Sequence, residues 1–157
     1  AIAFYSDDIK NLFLQVSGAS QFKGPEFNTD SFIQLAEEGF INTNGYFINE
    51  KLVGFASEIE SNNKLYSYFV GFDKNLNKSF PIYGRILLEN INSAIRLRMD
   101  RLILGRTANE YKSNFGAVPI RSYVYLRIEN KLLRTILKPI FGRLSIKKWI
   151  QRKPFKG

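Results

Sequence analysis

The sequence predicts an α/β (α+β mixed) fold: a mixed sheet with a central parallel pair, helices on both faces, the element order ααβββαβαβ, and a further C-terminal helix. Three observations carry this. Over residues 79–99, SFPIYGRILLENINSAIRLRM, apolar residues recur at intervals of three and four, the spacing of a helix with one buried face. Between 45 and 73, three runs rich in aromatic and β-branched residues are separated by NEK and SNNK, which read as hairpin turns. RLILG (101–105) is a short apolar strand after the long helix, so strand, helix and strand form a βαβ unit with parallel neighbours.

The elements follow in order. Asp7 to about Val16 has helical spacing, GASQFKGPEFNTD is turn chemistry, and a second helix spans Asp30 to Glu38 with Asp30 as its N-cap. GYFIN (45–49), LVGFASEIE (52–60) and LYSYFVGFD (65–73) are the three antiparallel strands. The long helix takes Ser79 as N-cap and Pro81 in its first turn, and buries Ile82, Tyr83, Ile86, Leu87, Ile91, Ala94 and Ile95. VPIRSYVYLRIEN (118–130) alternates as a final strand.

With 157 residues and 45% hydrophobic content, the chain can bury one sizeable core. The start, AIAFYSDDIK, lacks the basic-then-apolar layout of a signal peptide, and its form suggests a piece of a longer protein. The absence of cysteine and histidine excludes thiol nucleophiles, Cys/His zinc sites, imidazole bases and disulfides. Chemistry falls to Glu, Asp, Lys, Arg, Tyr, Ser and backbone amides, with no metal expected. Of the net charge of +9, residues 1–130 carry none, whereas 131–157 hold nine cations and no anion. The chain therefore divides into a neutral domain, 1–130, and a basic amphipathic tail, 131–157.

LGRTANEYKSNFGAVP (104–119) raises a choice between a site and a capped helix. Thr107 followed by Glu110 fits a capping box and Gly116 a helix end, which makes these residues scaffold. Arg106 stands at the carboxyl end of a parallel strand, where open α/β sheets place ligands, and Lys112 could face the same crevice or be solvated surface. Glu58 and Glu60 alternate onto one strand face with Ala56 and Gly54, leaving room for a ligand above small residues. Glu58 is the candidate general base on that face, taking a proton directly or through water. Tyr66, Tyr68, Tyr123 and Tyr125 are candidates to line the crevice or to pack as half-buried strand residues.

A strand ending GFD, a long helix starting near FPIY, the turn LGRTANEYKSNFGA and the strand SYVYLR together resemble the GNAT (acyl-CoA N-acyltransferase) superfamily over about Asp7 to Glu129. Within it the chain looks similar to Fem-type peptidoglycan aminoacyltransferases and related bacterial acyltransferase domains. The resemblance implies an acyl donor, an acyl-CoA or aminoacyl-tRNA, lying along Leu65 to Asp73 at Phe69, Val70 and Gly71. It puts the donor's phosphates at Lys74, Asn75, Asn77, Lys78 and Ser79, by the amino end of the long helix. It also implies that Arg106 and Lys112 stabilise charge while a thioester or ester acylates an amine. The sequence departs from the superfamily pattern at two places: KNLNKSFP lacks the glycines of Q/R-x-x-G-x-G/A, and Lys112 stands where many members have tyrosine, four residues before Gly116.

The tail places Leu132, Leu133, Ile136, Leu137, Ile140, Phe141 and Leu144 on one face, Lys131, Arg134, Lys138 and Arg143 elsewhere, and Trp149 near the end. Pro139 and Gly142 are expected to kink or divide this helix. Such a helix fits an anionic bilayer surface, or packs on the domain or a partner chain. Two functions follow: a cytoplasmic N-acyltransferase domain, peripheral to the inner membrane face if the tail docks there, or a non-catalytic module held on a membrane or polyanion by its tail. Nucleic acid enters only as tRNA carrying a donor.

Overall fold

A computed structural model describes residues 2–18, 27–123, 125, 127–142 and 149–155. The chain divides into two compact units, Ala1–Thr107 and Ala108–Gly157, a division well ahead of the point where the charge changes.

The first unit opens with a 3-10 turn, Ile2–Tyr5, followed by α1 (Ser6–Ser17) and α2 (Thr29–Glu37). The N-cap of α2 is Asn28, whose side chain accepts from the Ser31 N–H at 2.9 Å. Asp30 instead lies within the first turn, where its charge suits the helix dipole. Most of the turn expected between these helices, residues 19–26, lies outside the described residues.

Next come β1 (Asn42–Ile48), β2 (Lys51–Ser61) and β3 (Lys64–Phe72), joined by two-residue turns at Asn49-Glu50 and Asn62-Asn63. All four turn residues have positive φ, between 47° and 64°, the geometry that matches the twist of paired antiparallel strands. After β3 the chain forms a 3-10 turn, Leu76–Lys78, then α3 (Ile82–Arg96) and β4 (Arg101–Ile103). Among the described residues the sheet order is β1-β2-β3-β4, with only the last pair parallel.

β2 is buried continuously from Leu52 to Glu58 because both of its faces are covered. Leu52 and Phe55 pack with Ile9, Leu12, Phe32 and Ile33 of α1 and α2, while Val53 and Ala56 pack with Ile82 and Ile86 of α3. Each fully buried side chain of this kind contributes about 1.5–3 kcal/mol of transfer free energy. The buried face of α3 is offset from the apolar pattern: Ile95 is exposed, whereas Asn90 and Ser93 are buried.

The second unit holds α4 (Asn109–Ser113) and α5 (Lys131–Gly142), with Pro139 inside the latter. Helix α5 stays continuous across Pro139, although the ring removes the N–H that the carbonyl four residues earlier would accept. No strand forms over 118–130 among the described residues; Tyr123 and Tyr125 are exposed, and Val124 and Leu126 lie outside the description. Local alternation supplies a strand's faces but not a ladder partner. The expected capping box is also absent. α4 starts after Ala108 in the left-handed region, so Glu110 falls one position short of the box and pairs with Arg152 at 2.9 Å.

Candidate functional site

The parallel ladder between β3 and β4 covers Lys64–Tyr66 against Arg101–Ile103 only, while β3 continues to Phe72. Beyond Tyr66, the β4 side of β3 has no strand partner among the described residues. On its other side β3 is bulged, and the Ser57 side chain bridges the gap. Ser57 Oγ accepts from the Phe69 N–H at 2.9 Å and donates to the Phe69 carbonyl at 3.3 Å. The result is a strand held by β2 on one side and, past Tyr66, without a strand partner on the other among the described residues.

The expected donor residues on this strand have their side chains committed to packing. Phe69 joins an aromatic cluster with Phe13, Phe27 and Phe32, and Val70 packs on the α3 face. Gly71 is small because α1 crosses it closely: a Cβ there would lie 2.7 Å from the Phe13 nitrogen and 2.4 Å from the Phe55 ring. What this strand offers a ligand is main chain.

Glu58 is 2% exposed, and its Oε1 accepts from Asn90 Nδ2 of α3 at 2.7 Å. The room expected above Gly54 and Ala56 is taken by α3; a Cβ on Gly54 would lie 2.9 Å from Ile82 Cγ2. Asn90 is fully buried, and its Oδ1 lacks a partner among the described residues, as does the buried hydroxyl of Tyr46. Burial first, then the charges of Glu89 and Glu58, pushes the Tyr46 phenol up to about 12, keeping it neutral. Glu60 is exposed and accepts from Asn42 Nδ2 at 3.1 Å. Asn90 and Tyr46 escaped the sequence reading; an asparagine on the inner face of an amphipathic helix was the available signal for one of them.

In the turn from β3 to α3, the Asp73 carboxylate accepts from the N–H groups of Asn75 at 2.9 Å and Leu76 at 3.0 Å. The Lys74 N–H goes to Gln15 Oε1 at 3.1 Å, and the Tyr83 N–H to Asn77 Oδ1 at 2.8 Å. Asn77 therefore does the capping expected of Ser79, and Pro81 precedes the first helical residue rather than lying within the turn. Lys78 and Ser79 are exposed.

Arg106, exposed, follows β4 in the first unit. Lys112 belongs to the second unit, where it is 6% exposed and burial lowers its ammonium to about 8. Neither of two clefts in the first unit involves the expected residues. One lies over α2 at Asp30, Gln34 and Glu37, and the other, about 230 Å³, is lined by Tyr5, Gly45, Phe47 and Leu52 among others. Among the described residues, no cluster of acidic side chains could hold a metal ion, and no helix is long and apolar enough to cross a membrane.

No family model matches the sequence, and no curated protein does. Solved structures do match. An acetyltransferase of Trypanosoma brucei superposes with a TM-score of 0.57 at 12% identity, over 78% of this chain and 94% of its own. A ribosomal-protein-alanine N-acetyltransferase of Brucella melitensis gives 0.57 at 13% identity, over 80% and 94%. A possible acetyltransferase of Clostridium difficile gives 0.57 at 18%, over 82% and 95%. The chain has the GNAT fold.

Proposed function

We propose that this chain is an N-acyltransferase domain that lays the acyl arm of a thioester or ester donor along the unpaired edge of β3. The observation supporting this is the β3–β4 ladder that stops at Tyr66 while β3 runs on to Phe72. An extended, amide-containing arm satisfies exposed strand N–H and C=O groups as another strand does. An amine then attacks the donor carbonyl: a C–N bond forms, the C–S or C–O bond breaks, and the ammonium proton leaves. Glu58 is the proposed acceptor for that proton. Because it is buried against Asn90, it receives the proton through water rather than from the amine itself. Arg106 is proposed to attract the donor's negative charge.

The test is a thermal-shift screen of the full chain against acyl thioesters and aminoacyl esters, followed by transfer assays on those that bind. Stabilisation by a donor, with transfer that falls at least about tenfold in Glu58→Gln, is expected. Binding without any transfer to an amine panel would leave only a non-catalytic module.

A second reading attaches to the second unit. On α5 the apolar residues Leu132, Leu133 and Ile136 are 72%, 48% and 55% exposed, alongside exposed Lys131 and Arg134. We propose that this face docks on an anionic bilayer surface, which would hold the domain at the inner face of the membrane. Leu144 of the expected stripe, and Arg143 expected elsewhere on the helix, lie outside the described residues. Sedimentation with phosphatidylserine vesicles is expected to be lost in Leu132→Glu/Ile136→Glu and with neutral vesicles; equal binding to both vesicle types defeats the reading.

A further inference from the structure

The resemblance assigns a donor's diphosphate to the turn between β3 and α3, and that assignment can be checked amide by amide. The Asp73 N–H goes to the Val53 carbonyl, and those of Lys74, Asn75, Leu76 and Tyr83 go to the side chains of Gln15, Asp73 and Asn77. Asn77 donates to the Asp73 carbonyl, Lys78 to Asn75, Ser79 and Phe80 to Leu76, and Ile82 to Phe80. Pro81 has no N–H. From Asp73 to Tyr83, every main-chain donor is used within the chain.

An anion seat at a helix start needs N–H groups turned outward with nothing in front of them. Here the position is filled, in part by an anion: the Asp73 carboxylate already bonds two consecutive amides. A diphosphate entering the turn would have to displace Gln15, Asp73 and Asn77 and would meet the aspartate's charge at contact distance. No glycine in KNLNKSFP lets the backbone re-fold around it at low cost. The Lys74 and Lys78 ammonium groups remain as point charges, which attract any polyanion weakly and in a salt-dependent way without forming a seat.

We infer that the turn is closed to a diphosphate by the chain's own side chains. The donor is therefore an acyl ester or thioester read along β3 alone, with no nucleotide diphosphate seated on the amides from Asp73 to Tyr83. This rests on the reading of β3 as the donor strand, and the experiment separates the two. The full ¹⁵N-labelled chain is titrated with acetyl-CoA and with S-acetylpantetheine, which share the thioester arm but differ in the nucleotide diphosphate. The amides of Asn75, Leu76 and Tyr83 are expected to stay in place with both. Dissociation constants for the two are expected to agree within about threefold. Saturable movement of those three amides with acetyl-CoA alone, with binding tighter by tenfold or more, overturns the inference. If the Ser67–Val70 amides respond to neither compound while the turn also stays still, the donor-strand reading fails and the closed turn stands.

Discussion

The Glu58–Asn90 pair allows a quantitative test of what holds β2 to α3. The carboxylate and the amide are 2% and 0% exposed and 2.7 Å apart, so their hydrogen bond is charge-assisted and buried. Such a bond contributes about 1.5–3 kcal/mol net, and an orphaned buried polar group costs a further 1–3 kcal/mol or so. Glu58→Leu removes the partner of an amide whose Oδ1 is unsatisfied among the described residues, so a loss of about 3 kcal/mol is expected. Asn90→Leu leaves a buried carboxylate alone, for about 3–5 kcal/mol. The double variant replaces both by apolar groups and should cost much less than the sum, with a coupling of about 2–3 kcal/mol. Urea unfolding followed by far-ultraviolet circular dichroism measures this in the sheet unit, while the single tryptophan, Trp149, reports on the other unit. Losses that add within about 0.5 kcal/mol would show that the two side chains do not depend on each other, and the reasoning would be wrong.

Other outcomes follow from backbone and burial. Glu50 is held at φ 64° in a hairpin turn that prefers glycine, so Glu50→Gly should raise stability by about 0.5–1 kcal/mol, read as a higher melting temperature; a fall would refute the strain. Gly116 has φ +82° and would place a Cβ 2.5 Å from the Phe155 ring, whereas Gly105 has φ +75° with open space around it. Alanine at 116 should therefore destabilise by about 2–3 kcal/mol and alter Trp149 fluorescence, against about 1 kcal/mol for alanine at 105. Lys112, lowered by burial from 10.5 to about 8, stays deprotonated in the folded state over a range where the unfolded chain still binds the proton. The stability of the second unit should thus increase as pH rises from about 8 to 10.5, by on the order of 3 kcal/mol, and Lys112→Met should flatten the slope. Tyr46 shows the opposite sign. Its phenol, raised from 10.0 to about 12, keeps its proton when folded, so the first unit loses stability as pH climbs through that window, and Tyr46→Phe removes the loss.

The sequence by itself determined the elements whose causes are local. The periods of three to four and of two placed α1, α2, β1 to β3 and α3, and the order of those elements was enough to suggest the superfamily. Net charge located the cations in the last residues, and the missing histidine and cysteine fixed which chemistries were possible. Glu58 could be put on a face with Gly54 and Ala56, because alternation is a property of one strand. What covers that face was decided only in three dimensions: α3 descends on it with Asn90, thirty-two positions away, and turns an open ledge into a buried pair. The same holds at the turn after β3. Its lysines and asparagines look like an anion seat when read as a string. Gln15, fifty-nine positions from Lys74, takes one of its amides, and the helix start brings Tyr83 onto Asn77. Among the described residues of the alternating run 118–130 no strand forms, because a local pattern cannot supply a ladder partner. Side-chain type and spacing are written in the chain, but a hydrogen-bond partner exists only once folding has chosen between a ligand, water and another part of the same molecule.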